Sequence, residues 1–404
     1  MSPSSRRTRG PCSLFAVGLV LALGLLVPLM TCQEHRICNT CSQGPPEGET
    51  AVGFNLGQSY GTSVAYFSNG TITNLAKVRG SSTYAERMEQ LILKPQTPYW
   101  LTPFGYMGRL LSIWRRLKRT VGLPATTEEA LLAELLRALK DASEAALQTR
   151  INTASVAAPQ MAAWQDVIPV DSTVNNALVL AGLEPYDWEA TDPSYLTEVN
   201  ALLASDGRQI CKEQWCFLDD DSGHEARQIV YHISFTNRSL YTSLRPARCF
   251  FQYTWEEDMG SINADLGLDK LNEANTPGLF WSAVQELLLS RVTAYTKRHP
   301  TFASLPFLVL VAGEAGETPE FLAVVQSVIK GIPGARATKP APGAGKEGDA
   351  ELVVSDDPTF SAAKGAAFWL RMRMDRSYCE GAEGFDSVQS VMQEAPKSEG
   401  HVDL

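Results

Sequence analysis

Apolar and polar positions alternate near the start of the chain, with turn residues between them, and this predicts a β-meander. Ala51-Val-Gly-Phe-Asn-Leu-Gly57 reads as a strand ending at a glycine, residues 62–67 as a second strand, and residues 71–78 as a third. Asn69-Gly70 is the two-residue hairpin turn between the last two. Helical spacing then takes over. Helices are expected near 84–93 and 109–119. Thr126-Thr-Glu-Glu129 is a capping box opening a long helix through Gln148, with Leu132, Leu135, Leu136 and Leu139 on one face. Residues 151–158 form a short strand ended by Pro159, and 172–181 a helix stopped by Gly182. The stretch 184–226 reads as mostly loop.

A second run of elements follows. Residues 228–235 alternate as a strand, Asn237-Arg238 turns the chain, 240–244 return, and 248–255 are a further strand candidate. Residues 279–299 have helical spacing through Val284, Leu287, Leu288, Arg291 and Tyr295. The apolar run 306–313, bounded by Pro and Gly, suits a buried strand, and 318–329 the helix after it. A Gly/Pro/Ala/Lys-rich loop (331–350), a short strand (351–354), a helix (358–374) and a polar, acidic, disordered tail (376–404) complete the chain. No sequence repeat is visible, although meander, helix, strand and helix occur in both halves.

Composition narrows the class. The chain has 404 residues, 44% hydrophobic, with net charge −10, which excludes global disorder and argues against duplex nucleic acid as a partner. The basic run Trp114-Arg-Arg-Leu-Lys-Arg119 reads as the polar face of an amphipathic helix, with an anionic-surface site as the alternative. Arg6, Arg7 and Arg9 precede an uncharged, mostly apolar run over 10–33, so residues 1–33 are a signal or signal-anchor segment. Its length and the lack of a small-x-small site favour an uncleaved membrane anchor through 13–32, followed by a stalk over 34–50. The body would then be lumenal or extracellular, in the secretory pathway. Sequons at Asn69 and Asn237 fit that placement as glycosylation sites. Beyond Cys12 and Cys32, six cysteines remain, and six allow fifteen pairings. Cys38-x-x-Cys41 suits a structural or tethering bridge in the stalk, with a redox pair as the alternative, and Cys211/Cys216 lack the second Cys/His pair that zinc needs.

Two glycine turns are candidates for chemistry. Gly57-Gln58-Ser59-Tyr60-Gly61 lies between two strands, where backbone N–H groups can cradle a phosphate, although an ordinary hairpin has the same look. Val311-Ala312-Gly313-Glu314-Ala315-Gly316 follows a buried strand and precedes a helix, a common ligand position in α/β proteins.

In order, these features resemble the actin-like ATPase superfamily, and within it the ATPase domain of the 70-kDa heat-shock chaperones. Val52-Gly-Phe-Asn-Leu-Gly57 is similar to the family's first phosphate loop, and residues 127–159 resemble its long helix and Val-x-x-Pro strand end. Residues 307–313 with Pro319 resemble the adenosine motif, and Asp357-Pro358 through Lys364-Gly-Ala-Ala367 the closing helix. The resemblance spans about 51–375. It implies an α/β, two-lobed actin-like (ribonuclease H-like) fold, with a first lobe over 51–185 completed by 355–375 and a second over 186–354. It also implies an ATP or ADP site touching Gly57, Gln58, Ser59, Tyr60, Gly313 and Glu314.

The departures from the family carry the functional expectation. The family's Mg²⁺-holding Asp is Asn55 here, and the Thr-Thr pair is Gln58-Ser59. The second phosphate loop falls on His232-Ile-Ser-Phe-Thr-Asn237, which has neither Asp nor Gly. The family's Glu-Pro segment and catalytic Lys have no match. The expectation is a pseudo-ATPase with weak or no hydrolysis and no metal site, acting as a binding or scaffold module for a protein partner. The alternatives are an active ATPase, with Asp219, Asp220, Asp221 or Asp258 as base, and a structural secretory glycoprotein that binds no nucleotide. Side chains such as Phe235 filling the cleft beneath Gly57 and Gly313 would exclude nucleotide. The family's peptide-binding half has no counterpart, and His401-Val-Asp-Leu404 resembles a retrieval tetrapeptide only loosely.

Overall fold

The computed structural model describes residues 50–94, 114–115, 117–161, 164, 172–185, 195–207, 228–246, 260–273, 276–302, 305–332 and 350–374. It also describes Leu19–Val20 and Leu25–Leu26, which pair as two short antiparallel strands. The rest of the expected anchor, the stalk to residue 49, the strand candidate at 248–255 and the tail at 376–404 lie outside the described residues. So do all eight cysteines and Asp219, Asp220, Asp221 and Asp258. Among the described residues no helix is long and apolar enough to cross a membrane.

The first sheet holds β1 (Ala51–Leu56), β2 (Tyr60–Tyr66), β3 (Ile72–Arg79), β4 (Ser155–Ala158) and β5 (Leu196–Thr197). The second holds β6 (Ile229–Phe235), β7 (Leu240–Pro246), β8 (Ser261–Asn263), β9 (Phe307–Ala312) and β10 (Glu351–Val354). Their spatial orders are β3-β2-β1-β4-β5 and β8-β7-β6-β9-β10. In each, an antiparallel meander is followed by two parallel strands. The duplicated order fits the actin-like fold that the sequence resembles. Gly70, at a φ of +84°, makes the expected turn between β2 and β3.

Besides the helical residues at 114–115 and 117–120, eight α-helices among the described residues complete the layers: α1 (Ser82–Leu93), α2 (Thr127–Leu147), α3 (Thr173–Leu180), α4 (Glu198–Ser205), α5 (Leu268–Glu273), α6 (Pro277–Arg298), α7 (Pro319–Gly331) and α8 (Ser361–Arg373). The capping box at α2 forms with a shift. The Thr126 hydroxyl accepts the Glu129 N–H at 3.2 Å, but the Glu129 carboxylate accepts the N–H of Ala125, at 2.6 Å. Arg119, from the basic run, donates to that buried carboxylate at 2.6 Å, so this arginine serves the fold. Trp114 and Leu117 of the same run are exposed.

β9 is apolar throughout because both its faces are covered. Phe307, Val309 and Val311 pack with α6 and α7, while Leu308 and Leu310 pack with Val199, Leu202 and Leu203 of α4. α8 lies on β1, β2 and β4 and against α4. Its backbone touches two neighbours directly. A Cβ on Gly53 would lie 2.1 Å from the Ala367 nitrogen, and one on Gly365 would lie 1.8 Å from the Ala201 carbonyl oxygen.

Two sequence readings change. The stretch 184–226 contains α4, buried from Glu198 to Ala204. The boundary read at 185/186 also falls too early, because β5 continues the first sheet alongside Ala157 and Ala158 of β4.

Candidate functional site

The carboxyl ends of the parallel strands of both sheets meet at one junction, where α/β proteins place ligands. Three turns and one helix start build it. The side chain of Thr197 caps α4 by accepting the Asn200 N–H at 3.2 Å, which fixes Glu198 as the first helical residue. Asn55, near the end of β1, and Gln58, in the β1–β2 turn, each donate a side-chain amide to Glu198, both at 3.3 Å. Burial pushes the Glu198 carboxyl up to about 8, and the Asn55 bond offsets this only in part. Glu198 is therefore mostly neutral at pH 7. Burial also raises the phenols of Tyr84 and Tyr241, and the Glu198 carboxylate raises both further.

The space over Gly57 is taken by protein. A Cβ there would lie 3.0 Å from the Tyr60 carbonyl and 3.9 Å from Glu198 Oε1, and Tyr84 donates its hydroxyl to the Gly57 carbonyl at 2.8 Å. Gln58 reaches the other sheet, accepting from Ser234 Oγ at 3.5 Å.

The β6–β7 turn satisfies its own donors. The N–H of Thr236 donates to the Ser239 carbonyl, and the Thr236 hydroxyl accepts the N–H groups of Arg238 (3.3 Å) and Ser239 (3.0 Å). The remaining N–H, on Asn237, donates to Glu314 Oε1 at 3.1 Å. On the acceptor side, the carbonyls of Thr236 and Asn237 take the N–H groups of Leu268 and Asp269. Gly267 lets that segment come close, since a Cβ there would lie 2.2 Å from the Arg238 carbonyl carbon.

The β9–α7 turn needs its glycine. Gly313 has a φ of +94°, and a Cβ would lie 2.3 Å from the Phe235 carbonyl oxygen. Its N–H donates to the Pro358 carbonyl at 3.0 Å. Glu314, next in the chain, forms an ion pair with Lys77 of β3. Asn74 of β3 donates to Asp357 at 2.8 Å, a second link between the halves.

Phe235 does not fill this junction. It is buried on the opposite face of β6, stacked on Phe321 with ring centroids 4.3 Å apart. Alternation instead turns His232 and Ser234 toward the junction, with Tyr241, Ser243 and Arg245 opposite them on β7. Arg245 is hydrogen-bonded to Asn200. Neither ring nitrogen of His232 has a partner among the described residues, and burial, with Arg245 adding to it, pushes the imidazole down to about 3.

Beside both turns opens a cavity of about 420 Å³. Gln58 and Ser59 line it from one half, and Arg238 and Ser239 from the other. Around its wall stand Glu86, Glu89, Asp265, Asp269 and Glu273 against Arg79, Arg238 and Lys270. Lys270 is already paired with Glu273 at 2.7 Å. An acidic wall disfavours a polyphosphate. Among the described residues no group of three or more His, Cys, Asp or Glu could hold a metal ion.

Gly57, Gln58, Ser59, Tyr60, Gly313 and Glu314 thus gather around one junction. Asn69 is exposed at its hairpin tip, where its side chain accepts the Thr71 N–H at 2.9 Å, whereas Asn237 is half-buried and lines the cavity. Sequence reasoning missed Glu198, Lys77 and Arg245, and named Thr236 only within the second phosphate loop. Thr197-Glu198 ahead of Ala201-Leu-Leu-Ala204, a capping residue and an acid before an apolar run, was the signal for the first.

No protein-family model matches the chain, and no curated protein is similar to it in sequence. Among solved structures, the chain is similar to the ethanolamine utilization protein EutJ from Carboxydothermus hydrogenoformans. The two are 14% identical with a TM-score of 0.43, over 80% of this chain and 91% of that one.

Proposed function

We propose that this chain is a pseudo-ATPase: an actin-like α/β protein that hydrolyses nucleotide weakly or not at all and works as a binding or scaffold module for another protein. The observation that carries this is the β6–β7 turn, whose four N–H groups are all consumed by Thr236, Ser239 and Glu314. Phosphoryl transfer depends on donors and metal already aimed at the phosphates, and a turn with no free N–H cannot supply them. Asn55 adds to the case as a neutral amide bonded to a largely neutral Glu198. Residual ATP or ADP would have to enter by the cavity at Gln58 and Ser59, against its acidic wall. The placement in the secretory pathway or at a membrane rests on the basic-then-apolar residues 1–33 and on the exposed sequon at Asn69.

The test is a thermal-shift series with ATP and ADP, with and without Mg²⁺, alongside a phosphate-release assay. The expected result is no turnover and no Mg²⁺-dependent stabilisation. Mg²⁺-dependent turnover that is lost on substitution of Gly57 would overturn the proposal.

A further inference from the structure

Glu314 sits at a point of the junction where donors from both sheets converge. Its Oε1 accepts the Asn237 N–H of the β6–β7 turn at 3.1 Å, and its Oε2 is ion-paired with Lys77 of β3. The Lys77 ammonium lies 4.8 Å from the centre of the Tyr60 ring. The carboxylate is nearly enclosed, with 11% of its side chain exposed. Its position is fixed from behind by Gly313, whose left-handed backbone presses on Phe235. A cation and a backbone N–H converging on one carboxylate make a set that accepts an oxyanion.

We propose that Glu314 is a built-in ligand of an oxyanion site made jointly by the two halves. It holds the cleft shut with no small anion bound, and phosphate-bearing ligands must displace it to enter. The inference deepens the pseudo-ATPase reading and rests on it, because it names what stands in the junction in place of a nucleotide. Removing the carboxylate while keeping Lys77 should expose the site to free anions.

The experiment is inorganic phosphate titrated by calorimetry into the full-length wild type and into Glu314→Ala, Glu314→Gln and Glu314→Ala/Lys77→Ala, at constant ionic strength. Phosphate should bind Glu314→Ala at least roughly tenfold tighter than wild type, as expected when a competing charge-assisted contact is removed. The added Lys77→Ala change should abolish the gain. Glu314→Gln keeps the side-chain volume and covers the case in which the alanine variant does not fold. Phosphate should raise the melting temperature of Glu314→Gln more than that of wild type. Glu314 variants no more responsive to phosphate than wild type, or a gain that survives loss of Lys77, would overturn the inference. ATP turnover by wild type together with phosphate-responsive Glu314 variants would count against the pseudo-ATPase reading alone.

Discussion

The Glu198 carboxyl accepts a hydrogen bond from the Asn55 amide at 3.3 Å, and among the described residues no basic side chain is bonded to it. It is stable there because it keeps its proton. His232, on the facing strand, is stable because it stays without one.

These two groups set opposite pH dependences. Glu198, at about 8 in the folded protein against an ordinary 4.5, binds more proton when folded, so its contribution falls as pH rises through that window. His232, at about 3 against 6.5, binds less, so its contribution falls as pH drops through its own window. Between pH 4.5 and 6.5 the two slopes cancel, and stability from this pair is flat. Above that range it declines by about 2 kcal/mol up to pH 8. Urea unfolding across pH should show the alkaline decline, and Glu198→Gln should remove it.

Thr236 holds two backbone donors that no other group among the described residues satisfies. Thr236→Val keeps the shape and strands both, at a cost of about 2 kcal/mol. Thr236→Ser keeps the oxygen and should lose well under half of that in the same denaturation assay.

Gly365 and Gly278 are both helical glycines, but only one is in contact. A Cβ on Gly365 would enter the Ala201 carbonyl at 1.8 Å, whereas one on Gly278 meets nothing within 4 Å. Gly365→Ala should force α8 from α4 and cost about 3 kcal/mol or prevent folding. Gly278→Ala should be neutral or stabilise by about 0.5 kcal/mol. Melting temperatures of the two variants would separate them.

Arg119 is bonded to a carboxylate with no solvent exposure. Arg119→Ala should cost about 3 kcal/mol, chiefly by leaving the buried Glu129 carboxylate without its guanidinium partner. In the Arg119→Ala/Glu129→Gln double variant the loss should be smaller than the sum of the two single losses, measured as a double-mutant cycle.

The first meander, the first two strands of the second, the long helices and the two glycine turns were legible from the chain because each has a local cause, whereas the short edge strand Ser261–Asn263 was not read. Asn69-Gly70 dictates its turn, Thr126 and Glu129 start α2, and 307–312 alternate between two apolar surroundings. α4 was not legible, because Val199 to Ala204 are buried on every side and so have no polar face to reveal a helical period. Of the site, the glycines and Gln58-Ser59 could be read, since turns need particular residue types. Lys77 and Arg245 could not, because each acts through a partner more than forty positions away, and for Glu198 the chain shows only the cap and acid ahead of an apolar run, not its distant partners.

α4 is supplied by the chain of the first half yet walls the second sheet, and α8, supplied by the second half, walls the first. This is a reciprocal exchange of helices within one polypeptide. Neither half can close its own core, so the two are not separable domains despite their matching strand orders. The protein should melt in one calorimetric transition, and a chain cut within 208–227 should fold only when both fragments are present.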